Sequence, residues 1–263
     1  MAIVEQDRLD QAGLQVEVEG PVLTVTLNKP DRRNSQTPRL WHALAAVGDN
    51  LPDEVRAVVV RGAGDCFSAG IDTRLLGPDG LEGEDSVADL MHQGDDRILD
   101  AIDGYQRGFV WLSDPAIISV AAVHGYAIGA GFQLALACDL RVVADDVKFC
   151  MKEPALGLVP DLAGTKPLVE LVGYSRALEI CATARYVEAD EARQLGIATA
   201  VVPRAELDAT TADLVEAVLA SSAGAVRETK ALLQGADGRD LEEQRLAERQ
   251  AQLRRFRDLV GGP

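Results

Sequence analysis

The sequence predicts an α/β fold, with strands joined by crossover helices and a purely helical C-terminal region. Three observations carry this expectation. Short β-branched runs recur, each followed by a turn or a helical pattern. Hydrophobic residues make up 47% of the 263, enough for a sizeable core, while aromatics make up only 4%, so Ala, Val, Leu and Ile must build it. From Ala205 onward the apolar spacing is helical. Residues 1–204 are therefore expected to form the α/β core, and 205–263 a helical region that covers a core or a partner subunit.

Residues 14–27, LQVEVEGPVLTVTL, alternate with period two around Gly20-Pro21 and predict a β-hairpin. Residues 38–50 predict a helix, with Thr37 as N-cap and Pro38 in its first turn. Val55 to Arg61 is a β-branched run suited to a buried strand. Residues 76–104 are Gly-rich and acidic, with nine Asp/Glu against one Arg. They predict a surface segment, either a flap over a site or a solvated helix–loop. Pro115 to Val123 is apolar and ends at His124-Gly125. GYAIGAG then leads into FQLALACDL, which has the pattern of a small-residue helix. Leu140 to Val143 and Val147 to Cys150 read as further short strands.

Composition excludes some functions. The formal charge is −16, from 26 basic and 42 acidic residues, so the basic footprint of a nucleic-acid binder is missing. No apolar run approaches the roughly 20 residues that a spanning helix needs. The N-terminal MAIVEQDRLD has no basic stretch followed by an apolar one, so no secretory leader is expected. Cys66, Cys138, Cys150 and Cys181 lie among apolar residues without a C-x-x-C pairing, which predicts reduced cytoplasmic thiols. His42, His92 and His124 show no metal spacing, and no serine sits in a G-x-S-x-G turn.

Two stretches suggest chemistry. Phe67-Ser68-Ala69-Gly70-Ile71-Asp72 follows a strand-like run, and Gly125 to Gly131 leads into a helix. Small residues at a turn let a ligand approach backbone N–H groups, and a helix N-terminus adds unpaired N–H groups with a positive dipole end. Two such turns face to face would make an oxyanion hole. Either turn alone reads first as a structural Gly-rich turn.

In combination they are specific. F-S-A-G-x-D, then A-A-V-x-G-x-A-x-G-x-G about 50 residues later, then A-x-x-C-D, resembles the signature of the crotonase (enoyl-CoA hydratase/isomerase) superfamily. LNKPDRRNS, Glu153-Pro154 to Gly157 and ARYVEADEARQLGIATAVVP resemble that family too, and the likeness runs from Val16 to Leu207. The resemblance implies a spiral of repeated ββα units, an acyl-CoA thioester as substrate and no further cofactor. It also implies a homotrimer or hexamer.

The same resemblance implies roles for residues. The backbone N–H groups of Ile71 and Ala130 match the pair that holds the thioester oxygen. Glu153 matches one family acid, Asp161 an acid used by some double-bond isomerases, and Gln133 stands where the hydratases have a second acid. Lys29, Arg32, Arg33, Ala69, Gly70, Asp72, Arg74 and Gly129 match positions around the ligand. Asn34 and His124 read as turn-stabilising residues.

This pattern separates the reactions. A hydratase uses two carboxylates around one water, and Gln133 cannot exchange a proton at neutral pH. Losing a positioned acid costs about 10²–10⁴ in rate, or roughly 3–5 kcal/mol. Shifting a double bond needs a base for the α-proton and a donor two carbons away, which Glu153 alone or with Asp161 supplies. Isomerisation is therefore favoured over a hydratase that uses Gln133 and over a non-catalytic acyl-CoA binder. Asp161 retains a second reading as a helix cap.

Overall fold

The computed structural model describes residues 3–77, 80–84 and 86–261. A short helix, α1 (Gln6–Ala12), leads into the hairpin β1 (Leu14–Glu19) and β2 (Val22–Leu27). Its strands pair antiparallel, with Leu14 opposite Leu27. Helix α2 (Pro38–Asp49) follows, and the Thr37 hydroxyl accepts from Leu40 N–H at its start. Then come β3 (Ala57–Gly62), α3 (Val87–Met91) and α4 (Asp95–Val110).

The centre of the chain alternates between two sheets. β4 (Ile118–Val123) is followed by β5 (Tyr126–Ile128) and α5 (Ala130–Ala137), and β6 (Leu140–Ala144) by β7 (Lys148–Cys150). The larger sheet has the order β1-β2-β3-β4-β6 and ends on β9 (Ala200–Val202). All its pairings after the hairpin are parallel. The smaller sheet runs β5-β7 and then β8 (Val187–Glu188). A single parallel bridge between Ser68 and Ala127 links the chain after β3 to β5. Each turn of the chain thus contributes one segment to each sheet before a helix, which is the expected spiral of ββα units.

Helices α6 (Thr165–Val172), α7 (Tyr174–Thr183) and α8 (Ala189–Gln194) precede β9. The C-terminal helices are α9 (Leu207–Leu219), α10 (Ala223–Gln234) and α11 (Leu241–Gly261). The main core lies between the large sheet and α2, α4 and α5, with Phe109, Phe132 and Phe149 fully buried. A smaller cluster on the other face packs Leu207 and Val215 of α9 on Ala57, Val120 and Val142. Lys230 of α10 is buried too, and donates to Asp139 Oδ2 at 2.7 Å and to the carbonyls of Asp114 and Ile117. By contrast, Leu241, Phe256, Leu259 and Val260 of α11 are exposed in the single chain.

The predicted hairpin, α2, β3, β4, α5, β6 and β7 are all present, within a few residues of the expected bounds. Segment 76–104, expected as a flap or a helix–loop, contains α3 and most of α4. Among the described residues, no helix is long and apolar enough to cross a membrane.

Candidate active site

The two Gly-rich turns face each other. Gly70 has φ +85°, and a Cβ there would lie 2.4 Å from Ile128 C=O and 3.5 Å from Ala130 N. Only glycine permits both the dihedral and the contact. Gln36 forms a parallel bridge with Ile71: its N–H donates to Gly70 C=O and its C=O accepts from Asp72 N–H, both at 2.8 Å. Those bonds flank Ile71 and turn its own N–H away from Gln36. Ala130 opens α5 after Gly129, so its N–H has no acceptor inside the helix. Neither N–H has a partner among the described residues.

Glu153 sits beside this pair. A Cβ on Gly129 would lie 3.1 Å from Glu153 Oε1, so the carboxyl rests over the turn that carries Ala130. Glu153 is buried, and Gln133 Nε2 donates to its Oε1 at 2.7 Å. Its Oε2 is buried without a hydrogen-bond partner among the described residues. Leaving such an oxygen unpaired costs stability. Burial pushes the Glu153 carboxyl above its ordinary value, and the Asp161 charge adds to the rise.

Gln133 is fully buried and fully engaged. Its Oε1 accepts from Leu162 N–H at 2.9 Å and from Gly164 N–H at 3.3 Å, while its Nε2 holds Glu153. It lies behind Glu153 rather than on the cavity wall. Asp161 does line the cavity, and burial raises its carboxyl as well. Helix α6 begins at Thr165 without a side-chain cap, so Asp161 is not its cap. Gln106 of α4 donates to Asp161 C=O at 2.7 Å and ties that helix to the acid-bearing loop.

A cavity of about 470 Å³ joins these groups. Ala69, Gly70, Ile71, Gly129, Ala130, Glu153 and Asp161 all line it. Its remaining wall is almost wholly apolar, and Trp41, Leu90, Ile98, Ile102, Tyr105 and Leu162 supply much of it. Sequence reasoning left this wall unassigned. The available signal was the i, i+4, i+7 spacing of Ile98, Ile102 and Tyr105 within an otherwise acidic segment.

The cations expected to border the ligand's anionic end lie outside the lining of this cavity. Lys29, Arg32, Arg33 and Arg74 do not line the cavity, and neither does Asp72. Arg74 pairs with Asp72 at 2.6 Å, which together with the Ser35 hydroxyl holds that carboxyl down to about 2. Lys29 is lowered first by burial, among the charges of Glu84, Arg39, Asp72 and Arg74. Its aliphatic stem covers Gly13. Arg32 and Arg33 are exposed at the loop after β2. Asn34 and His124 hold turns. The Asn34 side chain accepts from Lys29 N–H and donates to the carbonyls of Ala63 and Cys66, each at 2.9 Å. His124 Nε2 lies 3.0 Å from Gly64 C=O, and burial lowers the ring's basicity.

The enoyl-CoA hydratase/isomerase family model matches residues 17–258. The chain belongs to that family. Within the crotonase superfamily, a Thermobifida fusca protein proposed as an enoyl-CoA hydratase and solved in complex with CoA is 48% identical. It covers 99% of both chains at a TM-score of 0.94. The Thermobifida protein has also been solved with acetoacetyl-CoA, at 49% identity, coverage of 96% and 98%, and a TM-score of 0.93. Human mitochondrial Delta(3,5)-Delta(2,4)-dienoyl-CoA isomerase is 36% identical over 215 residues, which are 80% of this chain and 64% of that protein. The chain thus spans less than two thirds of that relative's length. Short-chain-enoyl-CoA hydratase of Clostridium acetobutylicum is 30% identical over 227 residues, 82% of this chain and 78% of that protein. Crotonase relatives of both reaction types therefore stand at comparable distance.

Proposed function

We propose that this chain binds an acyl-CoA thioester, stabilises its enolate and moves a double bond along the acyl chain. The observation that carries the proposal is Glu153 Oε2, buried without a hydrogen-bond partner among the described residues, on a side chain that lines the same cavity as Ile71, Ala130 and Asp161. The thioester oxygen would accept from Ile71 N–H and Ala130 N–H, which strengthens as negative charge develops there. Glu153 removes the α-proton. Asp161, kept protonated more readily by burial, delivers a proton at the far carbon. The complexes of the Thermobifida protein with CoA and acetoacetyl-CoA support the ligand class.

Gln133 favours isomerisation over hydration. Its amide does not act as an acid or a base at neutral pH, and backbone N–H groups already occupy its Oε1. Hydration is the second reading, favoured by the Clostridium relative, and would need Glu153 and Asp161 to handle the water between them. An acyl-CoA panel in deuterated water, followed by mass spectrometry, separates the two. Isomerisation gives a shifted double bond with deuterium at the far carbon, where the proton is delivered. Hydration adds one water mass, and tight binding with neither change would leave only a carrier role.

The exposed apolar side chains of α11 suit a trimer or hexamer interface. Light scattering that gives a monomer at working concentration would remove that part of the proposal.

A further inference from the structure

A buried polar chain connects the acyl-facing wall of the cavity to the turn that carries Ile71. Gln36 is fully buried just before α2. Its Oε1 accepts from Trp41 Nε1 at 2.8 Å, and its Nε2 donates to Ser68 Oγ at 3.1 Å. Ser68 Oγ donates to Asn34 C=O at 2.8 Å and accepts from Gly70 N–H at 3.2 Å. That hydroxyl has one proton and two lone pairs, and all three are used. A Cβ on Gly131 would lie 2.8 Å from Ser68 Cβ, so Ser68 is also wedged against the first turn of α5.

One serine therefore touches both amide-bearing turns, and one glutamine holds that serine. Trp41, at the other end of the chain, lines the cavity. A leucine at position 36 would fill a similar volume without the cost of burying an amide. The fold instead buries the amide with a hydrogen bond at each end.

We infer that Gln36 is a positioning residue: acting through Ser68, it sets the spacing and direction of the Ile71 and Ala130 N–H groups, and acting through Trp41, it couples them to acyl-chain packing. The inference rests on the oxyanion-hole reading above. A hydrogen bond weakens steeply as it bends, so a small rotation of either turn affects the enolate more than the ground-state carbonyl.

The test uses Gln36→Leu and Ser68→Ala with butyryl-CoA carrying ¹³C at the thioester carbonyl. Three quantities are read: α-proton exchange in deuterated water, affinity by calorimetry, and the carbonyl stretch of the bound ligand by difference infrared. The expected result is a loss of about 10- to 100-fold in exchange kcat, affinity held within about threefold, and a carbonyl stretch that moves back toward its value in water. Folded variants that keep wild-type kcat and a wild-type stretch would overturn the inference. Should Gln36→Leu not fold, Ser68→Ala decides alone, because it removes a single oxygen. A wild-type stretch equal to that in water overturns the oxyanion-hole reading itself, and this inference with it. A wild-type shift that survives both substitutions overturns this inference only.

Discussion

Gln133 Nε2 donates to Glu153 Oε1 at 2.7 Å, and that contact leaves Glu153 Oε2 as a buried oxygen with no protein partner among the described residues. One oxygen is fixed and the other is buried without a partner among the described residues, on a side chain that lines the cavity. In the proposed mechanism the Oε1 bond leaves Oε2 as the proton acceptor, which limits the direction of attack. Two backbone N–H groups hold Gln133 in turn, so the orientation of the base is set by the main chain of the 162–164 loop.

Glu153→Gln removes the base while keeping an acceptor for Gln133. Exchange at the α-carbon is expected to fall by about 10²–10⁴. Stability should move the other way. Burial raises the Glu153 carboxyl, so the folded state carries an unfavourable charge at neutral pH. Relieving it should raise Tm, by about 2–4 °C for each kcal/mol recovered in a chain of this size. A lower Tm with intact exchange would remove Glu153 from the mechanism.

The pH dependence follows from the same shift. The folded-state carboxyl binds its proton more tightly than the unfolded one, so this group's contribution to stability falls as pH rises from the ordinary carboxylate value through the raised one. Activity has the opposite sign, because the base must be ionised. Exchange kcat should rise with pH through a midpoint above 4.5, the ordinary Glu value. A midpoint at or below that value would contradict the burial argument.

Asp161→Asn separates the two proton transfers. Removal of the α-proton needs Glu153 alone, so deuterium incorporation should persist. Delivery at the far carbon should slow by about 10²–10³, seen as loss of the shifted double bond. Equal loss of both steps would mean that Asp161 acts on the enolate or on Glu153 rather than at the far carbon.

Gln133→Glu tests the hydratase reading. The new carboxyl faces Glu153 Oε1 across a hydrogen-bond distance, so the pair would share one proton and resist the second ionisation. Tm should drop more at pH 8 than at pH 5. If the chain is a hydratase weakened by Gln133, water addition to crotonyl-CoA should rise. If it is an isomerase, hydration should stay at background.

Ile98→Trp fills part of the apolar wall that α4 contributes. Each methylene displaced from that wall costs about 0.8 kcal/mol, or roughly fourfold in kcat/KM. Long acyl chains should lose most and short ones least, as measured across the panel. A uniform loss at every chain length would place the acyl tail elsewhere.

The signature FSAGID and the run from Ala121 to Gly131 were legible because backbone chemistry dictates residue type. A positive φ at Gly70 and the close approach of Ile128 C=O leave only glycine, and that constraint is local. The hairpin, α2 and the β-branched strands were legible for the same reason, since period and capping are properties of neighbouring residues. Gln133 was identified as the residue that replaces an acid, yet its bond to Glu153 spans 20 positions and no local pattern encodes it. Segment 76–104 read as either a flap over a site or a solvated helix–loop: Glu82, Asp89, Asp95, Asp96, Asp100 and Asp103 are exposed, while Leu76, Leu90, Ile98 and Ile102 line the cavity.

By itself the sequence determined which parts are present: two Gly-rich turns, Glu153, Asp161 and an amide where hydratases of the family it resembles have a second acid. Only the tertiary structure decided which of those parts meet. It set Glu153 over Gly129, put Gln133 behind it and kept Lys29, Arg32, Arg33 and Arg74 off the cavity wall. The physical reason is that backbone conformation and periodicity are short-range, whereas burial, carboxyl basicity and the direction of an N–H group arise from segments brought together across the whole chain.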